Sequence, residues 1–346
     1  MMQKPDGNKA IRLAAFGEFL LRLHSKGGKR FQQTDGYTAY YAGAEANVCV
    51  LLARLGMQVD YISCVPDNDL AAAGLQQLRS HGVGTDKMLY GGEKLGLYFT
   101  EAGNSIRPTR VIYDRVGTAY ADLQRGTIDW KSVFQNTGYF HWSGVAAAIS
   151  ESAAAVCEEA LLAALEAGVT ISSDFNYRSK LWKYGQHPKD VMPLLLQHSE
   201  ITVADLDAAN VYYGIETDKK LPQEQRFEQC YTALQHKMPR LKTLGMSFRK
   251  VQGNQLWYTG ALAHEGKFYF SAGFALSDVT DQIGTGDAFT AGMLYGLMNN
   301  YPPQTIIDFA TACGTLKQSI PGDWAIISKN EVEELMANGV SGRIVR

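Results

Sequence analysis

The 346-residue sequence lacks several features, and each absence closes off a class of protein. It has no run of like charges: 33 lysines and arginines are scattered among 35 aspartates and glutamates, for a formal net charge of −2. Without a basic stripe there is no electrostatic footprint for nucleic acid or an anionic membrane surface, so a small neutral or anionic metabolite is the better partner. It has no paired cysteines. Cys49, Cys64, Cys157, Cys230 and Cys313 are odd in number, far apart and never at zinc or redox spacing, and they read as apolar core residues in a reducing compartment. It has no long uninterrupted apolar run. Arg12 and Glu18 break the short N-terminal stretch that a signal peptide would need, and Glu158, Glu159 and Glu166 break the alanine-rich segment Ser152 to Gly168. A cytoplasmic location is the expectation. Nor does a G-x-G-x-x-G follow the first strand pattern, which disfavours a dinucleotide-dependent oxidoreductase.

What is present is an alternation of apolar runs, bounded by Gly, Asp or Asn, with helical patterns. That is the signature of βαβ units and a doubly wound, mostly parallel α/β sheet. Strands are expected at Ile11–Phe16, Val59–Val65, Tyr139–Trp142, Val169–Ser173, Ile201–Val203 and Leu241–Met246, and early helices at Glu45–Leu55 and Leu70–Arg79. Two stretches, 18–41 and 93–120, break the alternation with period-two patterns rich in Tyr, Thr and Arg. They read as antiparallel strands outside the parallel sheet, forming either a small β-lid or an ordinary edge hairpin. No linker divides the chain, so residues 1–346 are expected to form one domain with the lid inserted in the core.

The segment richest in chemical information is Asp281-Gln282-Ile283-Gly284-Thr285-Gly286-Asp287-Ala288-Phe289-Thr290-Ala291-Gly292. A tight glycine turn feeding a helix aims unpaired backbone N–H groups at one point, where the helix dipole also favours negative charge. Gly284, Thr285 and Gly286 thus form a candidate anion hole, and Asp287 a candidate general base beside it. The alternative reading of Asp287 is a helix cap.

The run G-T-G-D-A-F-x-A-G resembles the C-terminal signature of the PfkB, or ribokinase-like, sugar kinases. In that family the aspartate is the catalytic base and the glycines form the anion hole. The usual D-T-T-G appears here as D-Q-I-G. A second element, Ala42-Gly43-Ala44-Glu45-Ala46-Asn47 with Ala53-Arg54-Leu55-Gly56, is similar to the family's first signature region. Gly43 allows a ligand close to the backbone, and Asn47 can donate to and accept from sugar hydroxyls. The resemblance implies a cytoplasmic ATP- and Mg²⁺-dependent kinase of a small sugar, homo-oligomeric through its lid, with potassium dependence left open.

A sugar acid would need a fixed cation. Tyr113 and Arg115 would share one face of a lid strand. Asp174, Asn176 and Arg178 would share one side of the segment after Val169–Ser173, at the sheet edge where doubly wound proteins bind ligands. Each arginine taken alone reads more readily as a surface ion-pair partner than as a substrate anchor. The segments Y-x-R, D-F-N-Y-R-S-K-L-W, F-H-W-S-G and K-Q-S-I-P-G-D resemble 2-keto-3-deoxygluconate kinases in particular. That likeness implies substrate contacts from Tyr98, Tyr113, Arg115, Arg178 and Asp323, with Gly43, Asn47 and Asp287. It implies nucleotide contacts from Asn176, Arg178, Gly245, Ser247, Gly284 and Gly286. The family's N-x-x-E motif is altered to Ala204-Asp205-Leu206-Asp207, leaving Asp207 as an indirect metal contact. The expected reaction is phosphorylation of 2-keto-3-deoxygluconate at its 6-hydroxyl. The alternatives are a fructokinase- or ribokinase-like enzyme for a neutral sugar, or a silent sugar-binding regulator.

Overall fold

The computed structural model describes residues 11–103, 107–252, 255–276 and 279–339. Residues 1–10 and 340–346 of the expected domain, and 104–106 of the expected lid, lie outside the described residues. Among the described residues the strands run β1 (Arg12–Phe16), β2 (Leu20–Ser25), β3 (Tyr37–Ala42), β4 (Gln58–Ile62), β5 (Cys64–Val65), β6 (Leu89–Tyr90), β7 (Gly96–Glu101), β8 (Arg110–Asp114), β9 (Tyr139–Ser143), β10 (Thr170–Asp174), β11 (Ile201–Val203), β12 (Thr243–Gln252), β13 (Gln255–His264), β14 (Lys267–Phe270) and β15 (Phe274–Leu276). The helices are α1 (Ala44–Arg54), α2 (Asp69–Ser80), α3 (Trp130–Phe134), α4 (Gly144–Ala147), α5 (Glu151–Glu166), α6 (Pro188–Leu196), α7 (Leu206–Tyr213), α8 (Gln223–Lys237), α9 (Thr285–Met298), α10 (Pro303–Lys317) and α11 (Lys329–Asn338).

The main sheet has the order β14-β13-β12-β11-β10-β9-β1-β4, with β15 on β13. From β12 to β4 every pairing is parallel, and β13 to β15 add an antiparallel flank. Both faces are buried. In β1, Leu13 and Ala15 enter one apolar cluster while Ala14 and Phe16 enter the other, as a strand between two helical layers requires. The order reverses at β1, so the C-terminal strand ends open a crevice there. Helix α9 is buried nearly all round between α1 and α10. A Cβ at Gly292 would come 2.8 Å from the Ala310 Cα, so glycine permits that close approach.

The interrupting stretches form a separate four-stranded sheet, β3-β2-β7-β8. Both hairpins are antiparallel, as expected, but their junction is not: β2 and β7 pair in parallel, since both leave the core in the same direction. The expected strand Val59–Val65 also divides. Gln58–Ile62 joins the main sheet, whereas Cys64–Val65 pairs with Leu89–Tyr90.

Candidate active site

The C-terminal ends of β10 and β11, the first turns of α1 and α9, and the underside of the lid enclose a cavity of about 440 Å³. Its floor is the turn before α9. Gly284 holds a left-handed conformation at φ 83°, and a Cβ there would lie 2.0 Å from the Asp323 carbonyl oxygen, so this N-cap must be glycine. A Cβ at Gly286 would meet nothing within 4 Å, because that residue opens onto the cavity. Thr285 Oγ1 donates to the Gln282 carbonyl at 2.7 Å and closes the turn.

Asp287 sits in the first turn of α9 and lines the cavity. Asn47, one turn into α1, donates from Nδ2 to Asp287 Oδ2 at 2.6 Å. Burial pushes the Asp287 carboxyl up to about 6, against the downward pull of Asn47 and the Arg178 charge. Gly43, at φ 147° before α1, also lines the cavity, and its Cβ would lie 2.6 Å from the Glu18 carbonyl.

Beyond β10 the chain presents Asp174, Asn176 and Arg178 to the same space. Asp174 Oδ1 accepts the Asn176 N–H at 3.0 Å, bending the backbone so that Asn176 adopts φ 40°. The Asn176 Oδ1 is buried without a hydrogen-bond partner. Burial, reinforced by the Asp287 charge, pushes the Asp174 carboxyl to about 8. Arg178 donates to the Tyr177 carbonyl and lies exposed, and among the described residues no ion pair engages it.

The lid supplies Tyr98, Tyr113 and Arg115. Tyr113 stays on β8, but the strand ends at Asp114, so Arg115 turns inward instead of continuing the strand face. Its Nε donates to Glu18 Oε2 at 2.6 Å, both groups being buried. Tyr98 donates to Asp323, which also receives Arg22 Nη1 at 3.0 Å.

Three expected positions do not line the cavity. Asp323 is buried behind Tyr98. Gly245 packs beneath α9, where a Cβ would sit 2.5 Å from Met293 Sδ. Asp207 points away on α7, while Asp205, two residues earlier, caps that helix by accepting the Ala208 N–H at 2.7 Å and lines the cavity. A helix turns about 100° per residue, which separates the two carboxylates.

The N-x-x-E spacing points to Asp207 and gives Asp205 no role; the sequence signal for Asp205 is its position as N-cap before an apolar pattern. Arg249 also lines the cavity, bonding Gln282 Oε1 at 2.6 Å and Gln318 Oε1 at 3.0 Å. It was missed because the strand expected to end at Met246 continues to Gln252. Asp174, Asp205 and Asp287 give hard oxygen donors at one edge. No group of three or more His, Cys, Asp or Glu among the described residues could hold a metal ion by itself. This donor set suits an ion that keeps its waters and arrives with phosphate.

A glycine turn at a helix start, a carboxylate beside it and a lid above a sheet crevice are an arrangement suited to phosphoryl transfer. A 2-dehydro-3-deoxygalactonokinase of Haloferax volcanii is 30% identical over 335 residues, covering 95% of this chain and 98% of its own. A 2-dehydro-3-deoxygluconokinase of Bacillus subtilis is 26% identical over 311 residues, 89% of this chain and 90% of its own. The crystal structure of 2-dehydro-3-deoxygluconokinase from Thermotoga maritima superposes with a TM-score of 0.89 at 31% identity, covering 95% of this chain and all of that one. Residues 11–325 match the pfkB family carbohydrate kinases, and with the ribokinase-like sheet and the turn Gly284–Asp287 in place, the chain belongs to that family of sugar kinases.

Proposed function

We propose that this sugar kinase transfers the γ-phosphoryl group of MgATP to the primary 6-hydroxyl of 2-keto-3-deoxy-D-gluconate. The observation that carries the reading is Arg178, a cation in the same cavity as Asp287 that no ion pair engages among the described residues. A carboxylate substrate would supply the missing anion. The names of the two relatives above support a 3-deoxy-keto acid and include both the gluconate and galactonate epimers, while others are named 5-dehydro-2-deoxygluconokinase, a kinase of another deoxy-keto acid.

In the reaction, Asp287 accepts the hydroxyl proton as the oxygen attacks phosphorus, and ADP leaves in line. The Gly284 and Gly286 N–H groups of the turn face the charge spreading over the transferred oxygens, the Thr285 N–H being bonded to the Gln282 carbonyl. Arg178 reaches the sugar carboxylate or the phosphates, and Asn176 and Ser247 border the nucleotide. Tyr98 and Tyr113 press on the sugar from the lid and exclude water. Asp174 and Asp205, in place of Asp207, would hold the waters of an Mg²⁺ arriving with ATP, which would supply positive charge to the phosphates.

The neutral-sugar alternative is favoured by one contact: Arg115 is already committed to Glu18, so it is not a free anchor for an acid. Phosphorus NMR of the product separates the readings. A new phosphomonoester coupled to the two C6 protons, formed with the keto-deoxy acid, supports the proposal. Formation with fructose or ribose and none with the acid would overturn it.

A further inference from the structure

Lys317 ends α10 and is wholly buried, yet it takes no part in the reaction outlined above. Its ammonium bonds to main-chain oxygens, donating to the Ile320 carbonyl at 3.0 Å and the Asp281 carbonyl at 3.4 Å. Its stem lies under the anion turn: a Cβ at Gly284 would come 3.2 Å from Lys317 Cε. The same loops are stitched together around it. The Thr280 and Asp281 amides bond to the Gln318 carbonyl, and the Gly322 amide to Asp281 Oδ2. Burial pulls the Lys317 pKa below its ordinary value, and the charges of Asp281, Asp323 and Asp287 push it back up. A buried ammonium is costly unless oxygens and negative charge compensate it. Here both lie directly beneath the phosphoryl-binding turn.

We propose that Lys317 is the resident cation of the anion-hole turn. Its ammonium occupies, from within the chain, the carbonyl-lined position that a monovalent ion would otherwise use, so this kinase needs no potassium. The carbonyls of Asp281 and Ile320 do not fit a free potassium ion while Nζ stands between them. Lys317 is therefore a positioning residue: beside Arg22, which pairs directly with Asp281 and Asp323, it adds a second positive charge and holds the loop at Gly284 against Asp323. The inference rests on reading Gly284–Asp287 as the phosphoryl site.

The test compares the full chain with Lys317→Ala and Lys317→Met in potassium, ammonium and tetramethylammonium chloride at equal ionic strength. Turnover with the best-used sugar and the melting temperature are both read. The native chain is expected to show the same rate and melting temperature in all three salts. Lys317→Ala is expected to lose turnover by about tenfold or more. It should regain both rate and melting temperature as ammonium or potassium is added, through binding to the folded state, and gain neither from the bulkier tetramethylammonium. Lys317→Met, which fills the space without charge, should lose turnover in every salt. A native enzyme that requires potassium, a folded Lys317→Met with full turnover, or a folded Lys317→Ala indifferent to small cations would each overturn the proposal. Should Lys317→Ala not fold, the native salt series and Lys317→Met decide it. Asp287→Asn run alongside separates the premise: if it keeps turnover, the reading of the turn has failed, whatever the salts do.

Discussion

The chemistry of a single side chain is set by what its neighbours do to its charge, and Asp287 is the case that matters most here. Burial lifts its carboxyl to about 6, so the free enzyme gains its base as pH rises through that value. Turnover per substrate (kcat/KM) is therefore expected to fall on the acid side with a midpoint near 6. The Asn47 amide stabilises the ionised form, and a hydrogen bond to a charged group contributes about 1.5–3 kcal/mol. Removing that donor in Asn47→Ala raises the Asp287 pKa, so the acid limb should move upward by about one to two pH units in a pH–rate profile. A limb that stays in place or moves to lower pH would show that another group governs it. Arg178 and Asn176 were legible beforehand because they follow a strand at the sheet edge. The commitment of Arg115 to Glu18 was not, since the pairing spans 97 residues of sequence and follows from where the lid folds back on the core.

At the scale of elements, the two glycines flanking Thr285 do different work despite their identical chemistry. Gly284 is required by backbone geometry, while Gly286 keeps space open for a ligand. Gly284→Ala forces a side chain into left-handed backbone, a strain of about 1–3 kcal/mol, and into contact with the Asp323 carbonyl. It is expected to lower the melting temperature. Gly286→Ala has no neighbour to strike, so it should melt with the native chain yet lose most of its turnover, because the added methyl group enters the cavity. Equal melting temperatures for the two variants would contradict this division. Several elements were readable from periodicity: β1, β9, β10, β11, α1 and α2 lie within a residue or two of their expected bounds. The parallel junction of β2 and β7 was not, because hairpin signals are local and strand adjacency between distant hairpins is decided by packing. The reach of β12 to Gln252, and with it Arg249, escaped for the same reason: its outer half is stabilised by pairing with β13.

For the whole molecule, the lid is tied to the core through buried Arg22, which bridges Asp281 at 2.7 Å and Asp323 at 3.0 Å. We propose that lid and core form one domain, and a single unfolding transition seen alike by calorimetry and far-UV circular dichroism is the expected result. Two separated transitions would contradict it. The lid's outer face carries a cross-strand row of Ala39, Leu23, Phe99 and Ile112, with Ile112 53% exposed. Residues opposite one another share a face, so the row is a continuous apolar strip turned away from the cavity. We propose that two copies pair through it. Light scattering on a sizing column is expected to report two chains for the native protein and one for Ile112→Asp. A native monomer would remove the lid interface from the account.

The measurement that bears most directly on the proposed reaction is coupled ADP release with MgATP, comparing 2-keto-3-deoxygluconate, its galactonate epimer, gluconate, fructose and ribose, for the native enzyme and Asp287→Asn. The expected result is turnover confined to the 3-deoxy-keto acids, reduced by about 10²- to 10⁴-fold when the base is lost. Preferential turnover of fructose or ribose, or an Asp287→Asn variant as fast as the native enzyme, would contradict it.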